Sequence, residues 1–296
     1  WLYDLEPAGW LVDLAAKLHA QGFDWCAFFR HWPNKAATPK GYWHHAAHVV
    51  NNAMALKAGA LWWRLSGEAA DRGAPARMIG LLDEHHGLPT RIFTGNECLA
   101  GTGATQGTEL CAVVEYMYSL ECLVATLGDA AFADRLERIA FNALPATFSA
   151  DMWSHQYDQQ LNQVECSERS DRNWTTNGPD ANLFGLAPNY GCCTANLSQG
   201  WPKFAAHLWL QTSEPGIAAT AYAPSRLSTE VRGTPVSVEL ETEYPFRPHL
   251  RFVVQTAAPV EFPLLVRLPG WCRQPALTVD GARVEVGTPG TFLRLR

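Results

Sequence analysis

The period of the hydrophobic pattern changes near residue 216, and this change constrains the fold more than any other feature of the chain. Before it, apolar residues recur every three or four positions, as at Leu11, Leu14 and Leu18, which is typical of helices. After it, apolar and polar residues alternate in 236–242 and 264–268, which is typical of strands. Helices followed by short strands indicate two parts of different class. We therefore predict a mainly α protein, with a helical toroid-like domain over 1–212 and a β-sandwich over 213–296.

The same periodicity locates the individual elements. Helices are predicted up to about Gly22 and over 43–65, 71–86, 109–127, 129–144 and 194–210. Gly67 is expected to end the second of these helices, and Asp129 to cap the fifth. Residues 279–281 carry a hairpin-turn signal. The stretches 87–108 and 150–190 show little periodicity, and long irregular stretches in a compact domain are commonly functional.

Composition narrows the classes of partner. Of the 296 residues 47% are hydrophobic and 18% charged, which indicates a well-buried globular protein. The net charge is −6 and Lys and Arg form no cluster, so nucleic acid and anionic membranes are poor partners. No run is expected to reach the roughly 20 apolar residues of a membrane span. The 12 Trp and 8 Tyr suit either core packing or contact with sugar rings.

The cysteines and the chain ends bear on compartment and completeness. The spacing of the eight cysteines resembles no secreted disulfide framework, which favours a reducing, cytoplasmic compartment. Because the sequence opens at Trp1 without an initiator Met and closes in a strand-like pattern, we expect a piece of a longer chain. Nothing in the sequence indicates the oligomeric state.

Cys192 and Cys193 form the most unusual local feature. They follow Gly191 and precede a helical pattern, so the thiols are predicted at a helix N-terminus, where the helix dipole lowers a thiol pKa. Three interpretations remain open for such a pair. The cysteines form a strained disulfide, they are buried thiols without a role, or both sulfurs face one metal ion.

Glu109 and Cys111 extend the third interpretation. With Cys192 and Cys193 they make a set of one carboxylate and three thiols, which suits zinc. Residues i and i+2 lie roughly 200° apart on a helix, so Glu109 and Cys111 can converge only if Glu109 lies at the helix cap or before it. The alternative is that Glu109 is a carboxylate favoured at the helix start by the dipole.

Three further residues are candidates for a site. Glu97 lies in the Gly-rich stretch before Glu109; it is either a solvated carboxylate or, in a cleft, a general acid whose pKa is raised by burial and by nearby negative ligands. His48 lies on a predicted apolar helix and is either a core histidine or a substrate contact. His155 lies in a polar and aromatic stretch suited to binding hydroxyl groups.

Several of these segments resemble one family. Four stretches are similar to the motifs of glycoside hydrolase family 127, the β-L-arabinofuranosidases: 48–53, 108–112, 191–196 and 199–204. The strand-rich segments 245–246 and 268–271 resemble its C-terminal β part. The resemblance runs from about residue 30 to the end of the chain.

The resemblance implies an (α/α)6 barrel with β-sandwich modules, of which this chain would lack the N-terminal part of the barrel and part of the sandwich. It also implies a retaining hydrolase that cleaves β-L-arabinofuranosyl or related bonds at the non-reducing end of a carbohydrate. The implied zinc ligands are Glu109, Cys111, Cys192 and Cys193. Cys192 would be the nucleophile and Glu97 the acid/base, although the loop that carries Glu97 is shorter here. His48 and His155 would contact the substrate.

Two other functions are compatible with the residues alone. The first is a non-catalytic carbohydrate-binding helical protein with a structural zinc or thiol cluster, in which Glu97→Gln would have no effect on turnover. The second is another α/α-toroid hydrolase or lyase that uses carboxylates only, whose activity would resist thiol reagents and chelators.

Overall fold

A computed structural model of the protein describes residues 2–168, 177–185 and 191–295. The helices in these ranges are α1 Leu2–Leu5, α2 Gly9–Gln21, α3 Trp25–Arg30, α4 Val49–Ala55, α5 Ala58–Ser66, α6 Ala69–His86, α7 Leu110–Leu127, α8 Ala130–Ala140 and α9 Gly191–Ala206. The strands are β1 Gly95–Asn96, β2 Cys98–Leu99, β3 Thr108–Glu109, β4 Asp158–Gln159, β5 Trp209–Gln211, β6 Ile217–Ala219, β7 Ser225–Val231, β8 Thr234–Thr242, β9 Leu250–Thr256, β10 Leu264–Leu268, β11 Leu277–Val279, β12 Ala282–Val284 and β13 Thr291–Leu295. With 37% of residues in helices and 21% in strands, the structure is mixed, and "mainly α" describes only its first two-thirds.

Helix α7 is the centre of the helical part. It is apolar on nearly all sides, and it packs against α4, α8 and α9. Gly128 ends it in the left-handed conformation, with φ of 65°, and Asp129 caps α8 by accepting a hydrogen bond from the Ala131 amide. The predicted helical pair over 109–144 is therefore confirmed, with α8 ending at Ala140.

Helix α7 also corrects the expectation that no run is apolar enough for a membrane span. By length and composition it would qualify, with a mean hydropathy of 1.5. However, 67% of it is buried inside the protein, as is usual for the core helix of a globular domain. Within the described residues it is the one helix that meets this test.

Two predicted helices differ from the structure. The segment 43–65 forms two helices, α4 and α5, and the Lys57 ammonium group donates to the Met54 carbonyl at the end of α4 (3.1 Å). The predicted helix over 194–210 begins earlier, at Gly191, and so contains the cysteine pair. Its last predicted residues belong instead to β5, which pairs with β6. Residues 169–176 and 186–190 of the second irregular stretch lie outside the described residues.

The strands after α9 form two sheets and a hairpin. One sheet has the order β13-β10-β6-β5 and the other the order β7-β8-β9. Residues of both sheets, among them Ile217, Val238 and Val266, share a second apolar core. The hairpin β11-β12 turns at Asp280 and Gly281, whose φ values of 49° and 80° confirm the turn predicted there.

A buried ion-pair network joins the sheets to the helices. Arg267 on β10 is fully buried and forms salt bridges with Glu137 and Asp134 on α8. Tyr244 donates a hydrogen bond to Glu137, and Tyr222 donates to the Arg267 carbonyl. Because each charge has a hydrogen-bonded partner, the cost of removing the charges from water is offset at this junction.

We predict that Arg267→Ala destabilises the protein by about 3–5 kcal/mol, because it leaves the Glu137 carboxylate buried and unpaired. The control is Arg251→Ala, which removes an exposed pair with Glu241 and should cost about 1 kcal/mol or less. Urea unfolding of both variants measures the difference. Equal losses of stability would show that the buried network does not hold the two parts together.

Candidate active site and metal centre

Glu109, Cys111, Cys192 and Cys193 meet in one cluster. Their ligand atoms all lie within 4.8 Å of one another. The Cys111 and Cys193 sulfurs are 3.4 Å apart, and those of Cys192 and Cys193 are 4.0 Å apart. All of these cysteines are free thiols, so the disulfide interpretation of the pair does not hold.

The cluster forms because α7 and α9 run side by side in the same direction. Cys111 lies in the first turn of α7, and Cys193 in the first turn of α9. At the other end, the Nδ1 atom of His207 lies 3.3 Å from the Glu121 carboxylate, which fixes the relative direction of the helices. Glu109 caps α7 with extended backbone (ψ 131°), which is the position required for it to converge with Cys111.

Two observations test whether a cation fits this cluster. The Oε2 atom of Glu109 is buried and has no hydrogen-bond partner within the described part of the chain, whereas buried polar atoms are normally paired. Two sulfurs bound to one tetrahedral zinc at 2.3 Å would lie about 3.8 Å apart. The separations of 3.4 and 4.0 Å lie on either side of that value. The four residues therefore form a candidate metal centre.

Among the protein groups alone, the three thiols differ in acidity. A hydrogen bond with Cys193 lowers the pKa of Cys111 to about 7. Cys192 is exposed as a residue, but partial desolvation of its sulfur and the neighbouring Cys111 raise its pKa to about 11. The bond to Cys111 raises the pKa of Cys193 further. Burial also raises the pKa of Glu109 well above its usual value. The expectation of a lowered pKa for the cysteine pair is therefore wrong among the protein groups alone, because desolvation and the neighbouring Cys111 and Glu109 raise both values.

Glu97 lies at the tip of a tight hairpin between β1 and β2. Asn96 pairs with Cys98, so Glu97 alone makes the turn, with a left-handed φ of 75°. A left-handed conformation is costly for a residue other than Gly and persists where its surroundings enforce it. Here the Glu97 carbonyl accepts from the Val49 amide (3.0 Å), and Gly95 leaves no room for a Cβ, which would lie 1.8 Å from Val49 Cγ1.

The Glu97 carboxylate is placed next to the cluster. It lies within 4.8 Å of ligand atoms of both His48 and Glu109. His48 Nε2 is 3.3 Å from Glu97 Oε1, and the Tyr157 hydroxyl donates a hydrogen bond to Glu97 Oε2. The bond from His48 is the main reason that the pKa of Glu97 is lowered, with the Tyr157 bond adding to it. The prediction of a raised pKa is wrong, because both donors favour the ionised form over the effect of burial.

His48 has two roles in the local structure. Its Nδ1 atom accepts from the Asn51 amide (3.4 Å), which makes His48 the N-cap of α4. An accepting Nδ1 places the proton of the neutral ring on Nε2, which then donates to Glu97. His48 is thus partly buried at the start of α4, beside the candidate site.

His155 is joined to the cluster less directly. Its Nε2 atom is 2.9 Å from the hydroxyl of Thr194, the residue after Cys193. The ring is buried, and its Nδ1 atom has no hydrogen-bond partner among the described residues. The observed contact supports the first turn of α9, and no direct contact with substrate follows from it.

Tyr157 and Asp158 were not identified from the sequence. Tyr157 bonds Glu97, and its carbonyl accepts from the Leu110 amide at the start of α7 (2.9 Å). Asp158 on β4 pairs with Glu109 on β3 and is fully buried, and burial raises the pKa of its carboxyl group. The polar and aromatic character of 155–160 is the one sequence signal that pointed to this strand.

Comparisons with known proteins match both parts of the chain to one family. A model of the catalytic domain of the GH127 β-L-arabinofuranosidases matches residues 79–206, and a model of the middle domain of the same family matches residues 216–296. The two matches together cover more than half of the chain. Among curated proteins, none matches it.

Solved structures share the fold. A GH127 β-L-arabinofuranosidase from Geobacillus stearothermophilus T6 superposes with a TM-score of 0.71 at 21% identity, over 84% of this chain and 40% of that protein. A structure described as a glycoside hydrolase gives a TM-score of 0.70 at 17% identity, over 86% of this chain and 45% of the other. A second GH127 β-arabinofuranosidase gives 0.67 at 19% identity, over 84% and 40%. This chain thus spans less than half the length of these proteins. The chain, matched in both of its parts, belongs to glycoside hydrolase family 127.

Proposed function

We propose that the protein is a retaining glycoside hydrolase that cleaves β-L-arabinofuranosyl or related bonds at the non-reducing end of a carbohydrate. One observation supports this more than any other. An exposed thiol, Cys192, and a hydrogen-bonded carboxylate, Glu97, each lie within 4.8 Å of the Glu109 carboxylate. A nucleophile and an acid/base separated by a short gap are what a retaining glycosidase needs.

We propose zinc as the cation of the Glu109, Cys111, Cys192 and Cys193 cluster. The support is the donor set of three sulfurs and one carboxylate oxygen, together with the unpaired Oε2 atom of Glu109. A bound zinc would supply the positive charge that keeps the thiols deprotonated at neutral pH, which Cys192 does not achieve with protein neighbours alone.

In the proposed mechanism, the Cys192 thiolate attacks the anomeric carbon and Glu97 gives its proton to the leaving oxygen. The sugar is then attached to sulfur. Glu97, now ionised, removes a proton from water, which attacks the same carbon and releases the sugar and the thiolate. His48 and Tyr157 donate to the Glu97 carboxylate, so they favour its ionised form and orient it for the second step. For His155 we propose a contact with substrate hydroxyl groups; its support is the bond to Thr194, which places His155 next to the residue after Cys193.

We also propose that the helical part is a portion of an (α/α)6 barrel and that the two sheets form a β-sandwich, the parts meeting near residue 212. The paired helices around α7 and the apolar core shared by both sheets support this organisation. The similarity of fold to longer GH127 proteins supports it as well.

Substitution of the two reacting groups tests the proposal. Cys192→Ala should lower kcat on a β-arabinofuranosyl disaccharide below detection, and Glu97→Gln should lower it by about 10²–10⁴-fold. Cys272→Ala and Glu84→Gln, which change a thiol and a carboxylate elsewhere, should keep full activity. Released L-arabinose measures turnover. Full turnover by Cys192→Ala would refute the nucleophile, and unchanged turnover by Glu97→Gln would favour a non-catalytic binding protein.

The pH dependence of kcat/KM tests the surroundings of Glu97. As the acid of the first step, Glu97 must be protonated, so activity falls as the pH rises through its pKa. Tyr157→Phe removes a donor that stabilises the ionised form, and it should therefore raise this pKa and move the alkaline limb of the profile to higher pH. A profile that does not move, or moves to lower pH, would contradict the role of the Tyr157 hydroxyl.

Removal of the cation should destabilise the protein, since a ligand that binds only the folded state stabilises it. Dialysis against a strong chelator should lower Tm and release one zinc per chain, and added zinc should restore Tm. Glu109→Gln and Cys111→Ser should reduce the zinc content, whereas Cys98→Ser should not. A protein with no zinc and a Tm insensitive to chelation would contradict the proposed centre.

A further inference from the structure

Residues 42–48 form a loop whose backbone is held on several sides. The side-chain amides of Asn34 and Asn52 both donate to the Ala46 carbonyl (3.1 Å each), and that of Asn51 donates to the His45 carbonyl (2.9 Å). The Ala47 and His48 amides donate to the His44 carbonyl. The backbone of 44–48, directly after Trp43, is therefore held by bonds within the fold before any ligand binds.

The indole of Trp43, next to this held backbone, nevertheless points outward. It is 59% exposed, and the neighbouring Tyr42 is 57% exposed, whereas Ala46 and Ala47 are buried. Large aromatic groups that remain exposed next to each other on a fixed backbone commonly mark a binding surface. Because folding has already ordered the backbone next to these residues, ligand binding loses less conformational entropy there.

The position of Trp43 relative to the candidate site suggests what it binds. Its ring centroid is 5.9 Å from that of His48, whose Nε2 atom is 3.3 Å from the Glu97 carboxylate. The ligand atoms of Glu97 lie within 4.8 Å of those of His48 and Glu109, whereas Cys192 belongs to the other group, which Glu109 forms with the three cysteines. Trp43 therefore adjoins the site through His48, the hydrogen-bond partner of the acid candidate Glu97, and it is the acid that meets the leaving group.

We propose that the Trp43 indole is a stacking platform for the sugar unit on the leaving-group side of the scissile bond. The apolar C–H face of a sugar ring packs on the face of an indole, while its hydroxyl groups remain in water or bond the rim of the site. This inference rests on the proposed function, because it takes Glu97 as the acid. It makes Trp43 a determinant of specificity for oligosaccharides over simple glycosides.

Two substrates separate this role from the chemistry. Trp43→Ala should lower kcat/KM on a β-L-arabinofuranosyl disaccharide on the order of tenfold, and leave kcat/KM on methyl β-L-arabinofuranoside within about twofold, since the methyl group does not reach the indole. Trp43→Tyr should retain most of the activity on the disaccharide. The control is Trp271→Ala in the β part, where the indole is 48% exposed and stacks on Tyr244; both substrates should be unaffected. If Trp43→Ala lowers kcat/KM equally on both substrates, or on neither, the proposed stacking role of Trp43 is wrong.

Calorimetric titration distinguishes failure of the platform from failure of the proposed function. If the wild-type protein hydrolyses neither substrate, the proposed function fails, and binding of the same disaccharide decides the platform on its own. Binding by the wild-type protein that weakens on the order of tenfold in Trp43→Ala, with unchanged Tm and zinc content, supports it. Equal binding by both proteins, or binding by neither, contradicts it.

Discussion

The candidate site depends on the parallel packing of α7 and α9, which brings the first turns of both helices to one place. The Sγ atoms of Cys111 on α7 and Cys193 on α9 are 3.4 Å apart, although 82 positions separate the two residues in the chain. Gly200 of α9 lies in a tightly packed position, because a Cβ there would be 3.0 Å from Leu144 Cδ1 and 3.6 Å from Val114 Cγ2 of α7. The separation of the helices therefore determines whether three sulfurs can face one ion.

The second constraint is the short sheet that precedes α7. Glu109 is the last residue of β3 and the cap of α7, so the strand β4 that pairs with β3 places Tyr157 and Asp158 beside it. The hairpin of β1 and β2 continues the same sheet and presents Glu97. The acid/base candidate and the carboxylate of the cluster are thus fixed to one small sheet, which limits their relative movement. A site built on paired backbone is better suited to a defined carboxylate-to-thiol geometry than one built on free loops.

Local sequence signals predicted local features well. The helix end at Gly67, the Asp129 cap and the turn at 280–281 all follow from residue preferences that act within one turn of chain. The sequence left a cap position open for Glu109, and the structure places it there. The four members of the cluster were assigned from the chemistry of their side chains and from the family resemblance, since no spacing rule relates residues 82 positions apart.

Features that depend on tertiary contacts were not predictable in this way. The lowered pKa of Glu97 requires donors from His48 and Tyr157, which lie about fifty and sixty positions away. The raised pKa of Cys192 follows from burial and from charges on another helix. Helix α9 starts at Gly191, earlier than predicted, and the predicted helix over 43–65 is divided into α4 and α5. The residues in the first turns of these helices therefore differ from those predicted. In each case, packing of distant segments outweighed local preference.

The proposed chemistry depends on one zinc ion shared by Glu109, Cys111, Cys192 and Cys193. X-ray absorption at the zinc edge of the purified protein tests it most directly. We expect one zinc per chain, with three sulfur ligands at about 2.3 Å and one oxygen at about 2.0–2.2 Å. Loss of one sulfur in Cys193→Ser should be visible in the same spectrum. Absence of zinc, or a first shell of nitrogen and oxygen alone, would contradict the account.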